Sequence, residues 1–158
     1  MIEVKITDEM RTLAHQKEIE MGLLNNSITK GKGSFAGFLG EQVVLSLLQG
    51  EWDNSYDHDI TLKDGTRIDV KTKRTSVAPL PHYECSVAKL NTKQKCDRYD
   101  FVRVRNDSSV GWYLGYLPKE EYFKKAKFLK KGTQDGDNGF TVRSDCFNVP
   151  ISELKIDK

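Results

Sequence analysis

The densest apolar run in the chain lies between Ser34 and Leu48, where Phe35, Phe38, Leu39, Val43, Val44, Leu45, Leu47 and Leu48 leave no polar stripe. Apolar positions on nearly every side predict a helix that is buried rather than laid on a surface. Gly37 and Gly40 fall inside it. A glycine there costs about 1 kcal/mol relative to alanine, so close backbone packing is expected. Between Lys32 and Glu51 the only charged residue is Glu41. A buried carboxylate without a partner is expensive, so Glu41 calls for one.

The remaining pattern supplies the other elements. Ile2, Val4 and Ile6 alternate with polar residues and predict a short strand. Thr7 or Asp8 caps a helix to about Met21, half exposed because its apolar positions (Met10, Leu13, Ala14, Met21) are few. Residues 25–33 are turn-rich. From Tyr56 to Lys73 the period becomes two, and Ile60 and Leu62 are separated from Ile68 and Val70 by Lys63-Asp64-Gly65. That is a hairpin signal, with Gly65 in the left-handed position of the loop. Residues 74–81 read as a loop, residues 83–88 as a strand, and residues 91–98 as a short helix. Strands are predicted at 101–105 and 112–116. Pro118 then opens a basic helix at 119–127. A polar loop at 132–138, a strand at 140–143 and a tail element at 151–154 complete the chain. Helices followed by a run of strands predict one α/β (α+β) domain over residues 1–158, with a mixed central sheet flanked by helices.

Composition narrows the classes. The 158 residues carry 25 Lys and Arg against 23 Asp and Glu, a formal charge of +2, so any basic surface must come from local clustering. Three cysteines (Cys85, Cys96, Cys146) cannot all pair within one chain and suit a reducing compartment: the cytoplasm, or the host cytoplasm for a viral chain. The N-terminus shows no apolar signal-peptide core, and the longest apolar stretch is too short to span a bilayer, so no membrane partner is expected.

The hairpin register brings out the chemistry. With Lys63-Asp64-Gly65 as the loop, Leu62 faces Thr66, Ile60 faces Ile68, Asp59 faces Asp69 and Asp57 faces Lys71. One face carries Ile60, Leu62, Ile68 and Val70; the other carries Asp57, Asp59, Asp69 and Lys71. Opposed carboxylates repel, and a divalent cation between them removes the problem. Oxygen ligands favour Mg²⁺, with Mn²⁺ also suited. Lys71 shares the face of Asp69 and reaches the same centre, where an ammonium stabilises developing negative charge or orients a water. Glu41 would find its partner there. The bland alternative is a solvated strand face with an Asp57–Lys71 ion pair.

Glu41 on a helix, Asp59 on the next strand and Asp69-Val70-Lys71 on the strand after it resemble the signature of the PD-(D/E)XK nuclease superfamily. The strings NSITKGKGSFAGFLGE, YDHDI and IDVKTK resemble small phage-encoded endonuclease-like proteins of that superfamily, over about residues 25–118. His58 stands where the signature has a proline that many members lack, and Asp69 is an accepted variant of Glu. The resemblance implies a restriction-endonuclease-like core and Mg²⁺-dependent hydrolysis of DNA phosphodiesters, most simply by an endonuclease. It implies that Glu41, Asp59, Asp69 and the Val70 carbonyl hold the metal, with Lys71 positioning water. Lys93 and Gln94 would match its nucleic-acid contacts.

Lys73 and Arg74 extend a basic run beside these residues and are expected to contact phosphates. Gly31-Lys32-Gly33-Ser34 lacks the spacing of a nucleotide-binding loop but offers backbone N–H groups to a phosphate. A homodimer would let both strands of a duplex be cut. The competing reading is a catalytically silent module of the same fold that binds nucleic acid or a protein.

Overall fold

The computed structural model of the protein describes residues 1–23, 35–53, 55–134 and 141–157. The expected turn at 25–33, the Gly31–Ser34 segment, most of the polar loop at 132–138 and Phe140 lie outside the described residues.

The chain opens with β1 (Ile2–Lys5) and α1 (Asp8–Leu23), whose start is capped by the Thr7 hydroxyl accepting the Met10 N–H at 3.2 Å. The apolar run forms α2 (Phe35–Leu47), buried from Phe38 to Val44. β2 (Gly50–Trp52), β3 (Ile60–Leu62) and β4 (Arg67–Thr75) follow as an antiparallel meander. Then come β5 (Glu84–Ala88), β6 (Arg98–Arg105), β7 (Val110–Pro118), α3 (Lys119–Lys125), β8 (Lys127–Leu129) and β9 (Cys146–Pro150).

The protein is a mixed α+β structure. Six strands form one sheet in the order β1-β7-β6-β4-β3-β2, in which β4 and β6 are parallel and every other pair is antiparallel. β5, β9 and β8 form a second, smaller sheet. One face of the large sheet packs on α1 and α2 through Met10, Ala14, Leu39, Val43, Ile68, Val70 and Val102. The other face packs on α3 and the small sheet through Tyr99, Phe101, Leu117, Tyr122, Val87 and Val149. The first half of β4 is therefore covered on both faces, which buries Ile68, Asp69 and Val70, while Lys73 and Arg74 further along it are exposed.

The predicted hairpin register holds: Ile60 pairs with Ile68 and Thr61 with Arg67, and Gly65 takes a φ of +87°. Gly40 marks the expected close approach. A Cβ there would stand 1.8 Å from the Thr72 hydroxyl oxygen, so α2 lies directly on β4.

Three expectations are corrected. Residues 91–98 form no helix; a single 3₁₀ turn at Lys89–Asn91 gives way to irregular chain, whose polar groups are taken by tertiary partners. β4 runs on to Thr75, because β6 pairs alongside it as far as Arg105. No strand occupies 141–143; Thr141 makes one isolated bridge to Gln134, and the strand lies later, in β9. β2 and β8 were not legible, since three residues carry no measurable alternation.

Candidate functional site

Period two along β4 sets the first pair of groups. Asp69 and Lys71 point to the same face, and Lys71 Nζ stands 2.5 Å from Asp69 Oδ2. Asp69 is buried at 3% exposure, and its Oδ2 accepts no hydrogen bond of good geometry, so the ion pair is its sole partner there. Gln94, also buried, fixes the lysine: its Oε1 lies 3.4 Å from Lys71 Nζ, while its Nε2 donates to the Tyr56 carbonyl at 2.8 Å. The Tyr99 ring, beside Asp69 in the β4–β6 register, lies 6.0 Å below the same ammonium.

Asp59 enters from the strand end. β3 is only three residues long, and just before it Asp59 donates its N–H to the Ile68 carbonyl at 2.8 Å. There the Asp59 carboxylate, not a backbone carbonyl, accepts the Val70 N–H at 2.7 Å. The side chain is thereby pinned against β4 between Asp69 and Lys71.

Glu41 arrives from α2. Trp52 Nε1 donates to its Oε2, and Lys17 Nζ stands 3.5 Å from the same oxygen. Lys17 is itself buried and donates to the Asp53 carbonyl at 2.7 Å. Its ammonium also lies 3.9 Å from the Trp52 ring centroid. One cation thus ties α1 to α2 and to the segment that leads into Asp59.

The three carboxyls feel one another. Burial pushes the Glu41 pKa up to about 7, against the pull of Lys17 and Trp52, and Asp69 adds to the rise. Burial, then Glu41 and Asp69, raise Asp59 well above the usual carboxylate range, while the Val70 N–H and Lys71 oppose this. Burial lowers the pKa of Lys17, and Glu41 and Asp59 counter that. More negative charge is gathered here than the two lysines neutralise. These carboxylates are hard oxygen donors, the ligand type that a divalent cation such as Mg²⁺ takes. Among the described residues, however, no three His, Cys, Asp or Glu side chains stand together as a ready-made metal cage.

The structure holds Asp69 against Lys71 and Asp59 against the Val70 N–H, with Gln94 behind Lys71, while Glu41 contacts Lys17 and Trp52 and reaches Asp59 and Asp69 only electrostatically. Asp57 does not face Lys71: its Oδ1 accepts the Lys95 N–H at 3.1 Å, because the chain has left the strand before reaching it. The alternative Asp57–Lys71 ion pair is absent. Gln94 is a buried brace rather than a surface contact, and Lys93 is exposed on the adjoining turn. Lys73 and Arg74 lie further along β4 and line a groove that begins at Lys71.

Two contributors were not foreseen. Lys17 sits on the stripe Met10, Ala14, Lys17, Met21, spaced four, three and four, so its burial was marked in the pattern. Trp52 carried no such signal. The cysteines are free thiols, and burial raises Cys85 to about 12 and Cys96 to about 11, which leaves both inert at neutral pH. Among the described residues no helix is long and apolar enough to cross a membrane. No protein-family model matches the chain, and no curated protein matches its sequence.

Proposed function

We propose that the protein is a divalent-metal-dependent nuclease that hydrolyses phosphodiester bonds of DNA, acting as an endonuclease. The observation that carries this reading is the Asp69–Lys71 pair on β4 with the Asp59 carboxylate bonded to the Val70 N–H between them, and Glu41 of α2 within electrostatic reach. The mixed sheet flanked by helices agrees with the core that the PD-(D/E)XK resemblance implies.

In this reading Glu41, Asp59, Asp69 and the Val70 carbonyl would hold Mg²⁺ or Mn²⁺. When bound, such an ion supplies Lewis acidity toward the phosphate and lowers the pKa of water. Lys71 exchanges its contact with Asp69 for the scissile phosphate, where its charge opposes the negative charge that builds on the oxygens. Gln94 keeps that ammonium in place. Lys17 and Trp52 hold the Glu41 carboxylate toward β4 and limit the electrostatic cost of ionising it.

The test is cleavage of supercoiled, linear, single-stranded and branched DNA with Mg²⁺ or Mn²⁺, against EDTA, with Asp69→Ala and Lys71→Ala in parallel. Metal-dependent nicking of the supercoiled form, lost in both variants, is the expected result. A folded wild type that cuts no DNA with either ion would overturn it. The silent binding module on the same fold is the second reading; the close Lys71–Asp69 pair, which occupies the lysine, favours it.

A further inference from the structure

Beyond Lys71 a groove of about 700 Å³ opens between the large sheet and the small one. Its floor carries two cations side by side. Lys73 on β4 and Arg103 on β6 are register partners on parallel neighbouring strands, so their side chains leave the sheet on the same face. Neither forms an ion pair among the described residues. Lys73 Nζ donates to the Ser86 hydroxyl at 2.7 Å, and Arg103 Nη2 donates to the Glu84 carbonyl at 2.8 Å. Among the described residues, Glu84 is the only acidic one on the lining. Burial and their mutual repulsion lower the Lys73 pKa, and burial lowers that of Arg103. Glu84 pulls on Lys73 electrostatically, but neither cation forms an ion pair among the described residues, and two adjacent cations held so are a site for anions.

A second, independent feature lies on the opposite wall. Asn148, on β9, lines the groove and is buried at 7% exposure, yet its Oδ1 has no hydrogen-bond partner. An unmet buried acceptor is costly, and a ligand bearing an N–H group would satisfy it. His82 and Tyr83 stand at the rim as an edge-to-face pair of rings, 5.0 Å between centroids. Anion-binding cations, a buried unpartnered amide on the wall and aromatic rings together match a nucleotide: phosphate, base edge and base face.

Size decides the form of that nucleotide. The volume matches recesses that enclose one small ligand, roughly 300–1,000 Å³. A duplex, whose major groove alone is roughly 12 Å wide, does not enter such a space.

We propose that this groove binds a short unpaired segment of a polynucleotide strand running past Lys71, with Lys73 and Arg103 on phosphates and Asn148 on a base edge. The inference rests on the nuclease reading of the carboxylate site and names its substrate class: nucleic acid with a single-stranded, flapped or frayed part.

Binding is measured by fluorescence anisotropy in EDTA, which removes cleavage. The probes are a short mixed-sequence DNA oligonucleotide, its RNA equivalent and the blunt DNA duplex; the proteins are wild type, Lys73→Gln, Arg103→Gln and Asn148→Ala. The single strands should bind at least about tenfold more tightly than the duplex. Lys73→Gln should lose about tenfold of that affinity and flatten its salt dependence. Asn148→Ala should weaken binding without lowering the melting temperature, which separates a ligand contact from a packing role and guards against a misfolded Arg103→Gln. Equal binding of duplex and single strand, or variants that bind as wild type, would overturn the groove assignment. So would the absence of any binding. Metal-dependent cleavage in the separate DNA assay then tells whether the nuclease reading survives alone or falls with it.

Discussion

Lys17 Nζ lies 3.5 Å from Glu41 Oε2, and both side chains are at least nine-tenths buried. Two helices are therefore joined at the carboxylate site by a charge pair that cannot exchange its partner for water.

Removing one member of such a pair strands the other. Lys17→Met should destabilise the fold by about 3–5 kcal/mol at pH 7 and push the Glu41 pKa further up. Glu41→Gln in the same background should recover part of the loss. Urea unfolding of the two single variants and the double variant measures the coupling; additive losses would show that the pair contributes nothing.

The pH dependence has a definite sign. Glu41 has a pKa of about 7 in the fold, against 4.5 for the unperturbed group. Between these values the folded protein binds the proton that the unfolded chain has released. Stability is therefore greatest below about pH 4.5 as far as this group is concerned, and falls as pH rises to about 7. The raised Asp59 acts in the same direction. The decline from Glu41 alone is about 3 kcal/mol. Glu41→Gln should flatten it, and denaturant midpoints across pH 4.5 to 7.5 provide the check.

A divalent cation should relieve the same crowding. Mg²⁺ or Mn²⁺ at pH 7.5 should raise the melting temperature, with about 2.7 kcal/mol of added stability at a hundredfold excess over Kd. EDTA should reverse it. Asp59→Asn and Asp69→Asn should remove the response, although each relieves carboxylate repulsion in the metal-free protein. Calorimetric melting with and without metal reads both effects.

Gly40 and Thr72 set the distance between α2 and β4, and so between Glu41 and Asp69. A Cβ at Gly40 would also fall 2.9 Å from the Thr72 Cβ, so rotation of the hydroxyl does not clear it. Gly40→Ala should cost about 1–3 kcal/mol and reduce cleavage at temperatures where the protein remains folded. Adding Thr72→Ala should restore much of both. Cleavage that stays at wild-type level in folded Gly40→Ala would show that the helix spacing is not critical.

The parts legible along the chain are those governed by local periodicity. β1, α1 and α2 follow from apolar spacing, and the Lys63–Gly65 turn follows from glycine chemistry. That turn fixes the register of Ile60 on Ile68, and period two then places Asp69 and Lys71 on one face. Lys17 shows the limit. Its position on the apolar stripe was readable, but a lysine there acquires meaning only when α2 brings a buried carboxylate within reach. The residues at 91–98 have helical character, yet Gln94 is taken by Lys71 and Tyr56, and the Lys95 N–H by Asp57. Those long-range bonds outweigh local propensity. β2 and β8 form because a neighbouring strand offers them a ladder, not because three residues prefer to be extended. The groove lies furthest from the sequence, since Lys73, Arg103 and Asn148 come from β4, β6 and β9 and meet only when two sheets pack. Local chemistry therefore selected the carboxylates and their lysine. Packing of distant strands and helices decided how closely they stand, what they are buried against and which space opens beside them.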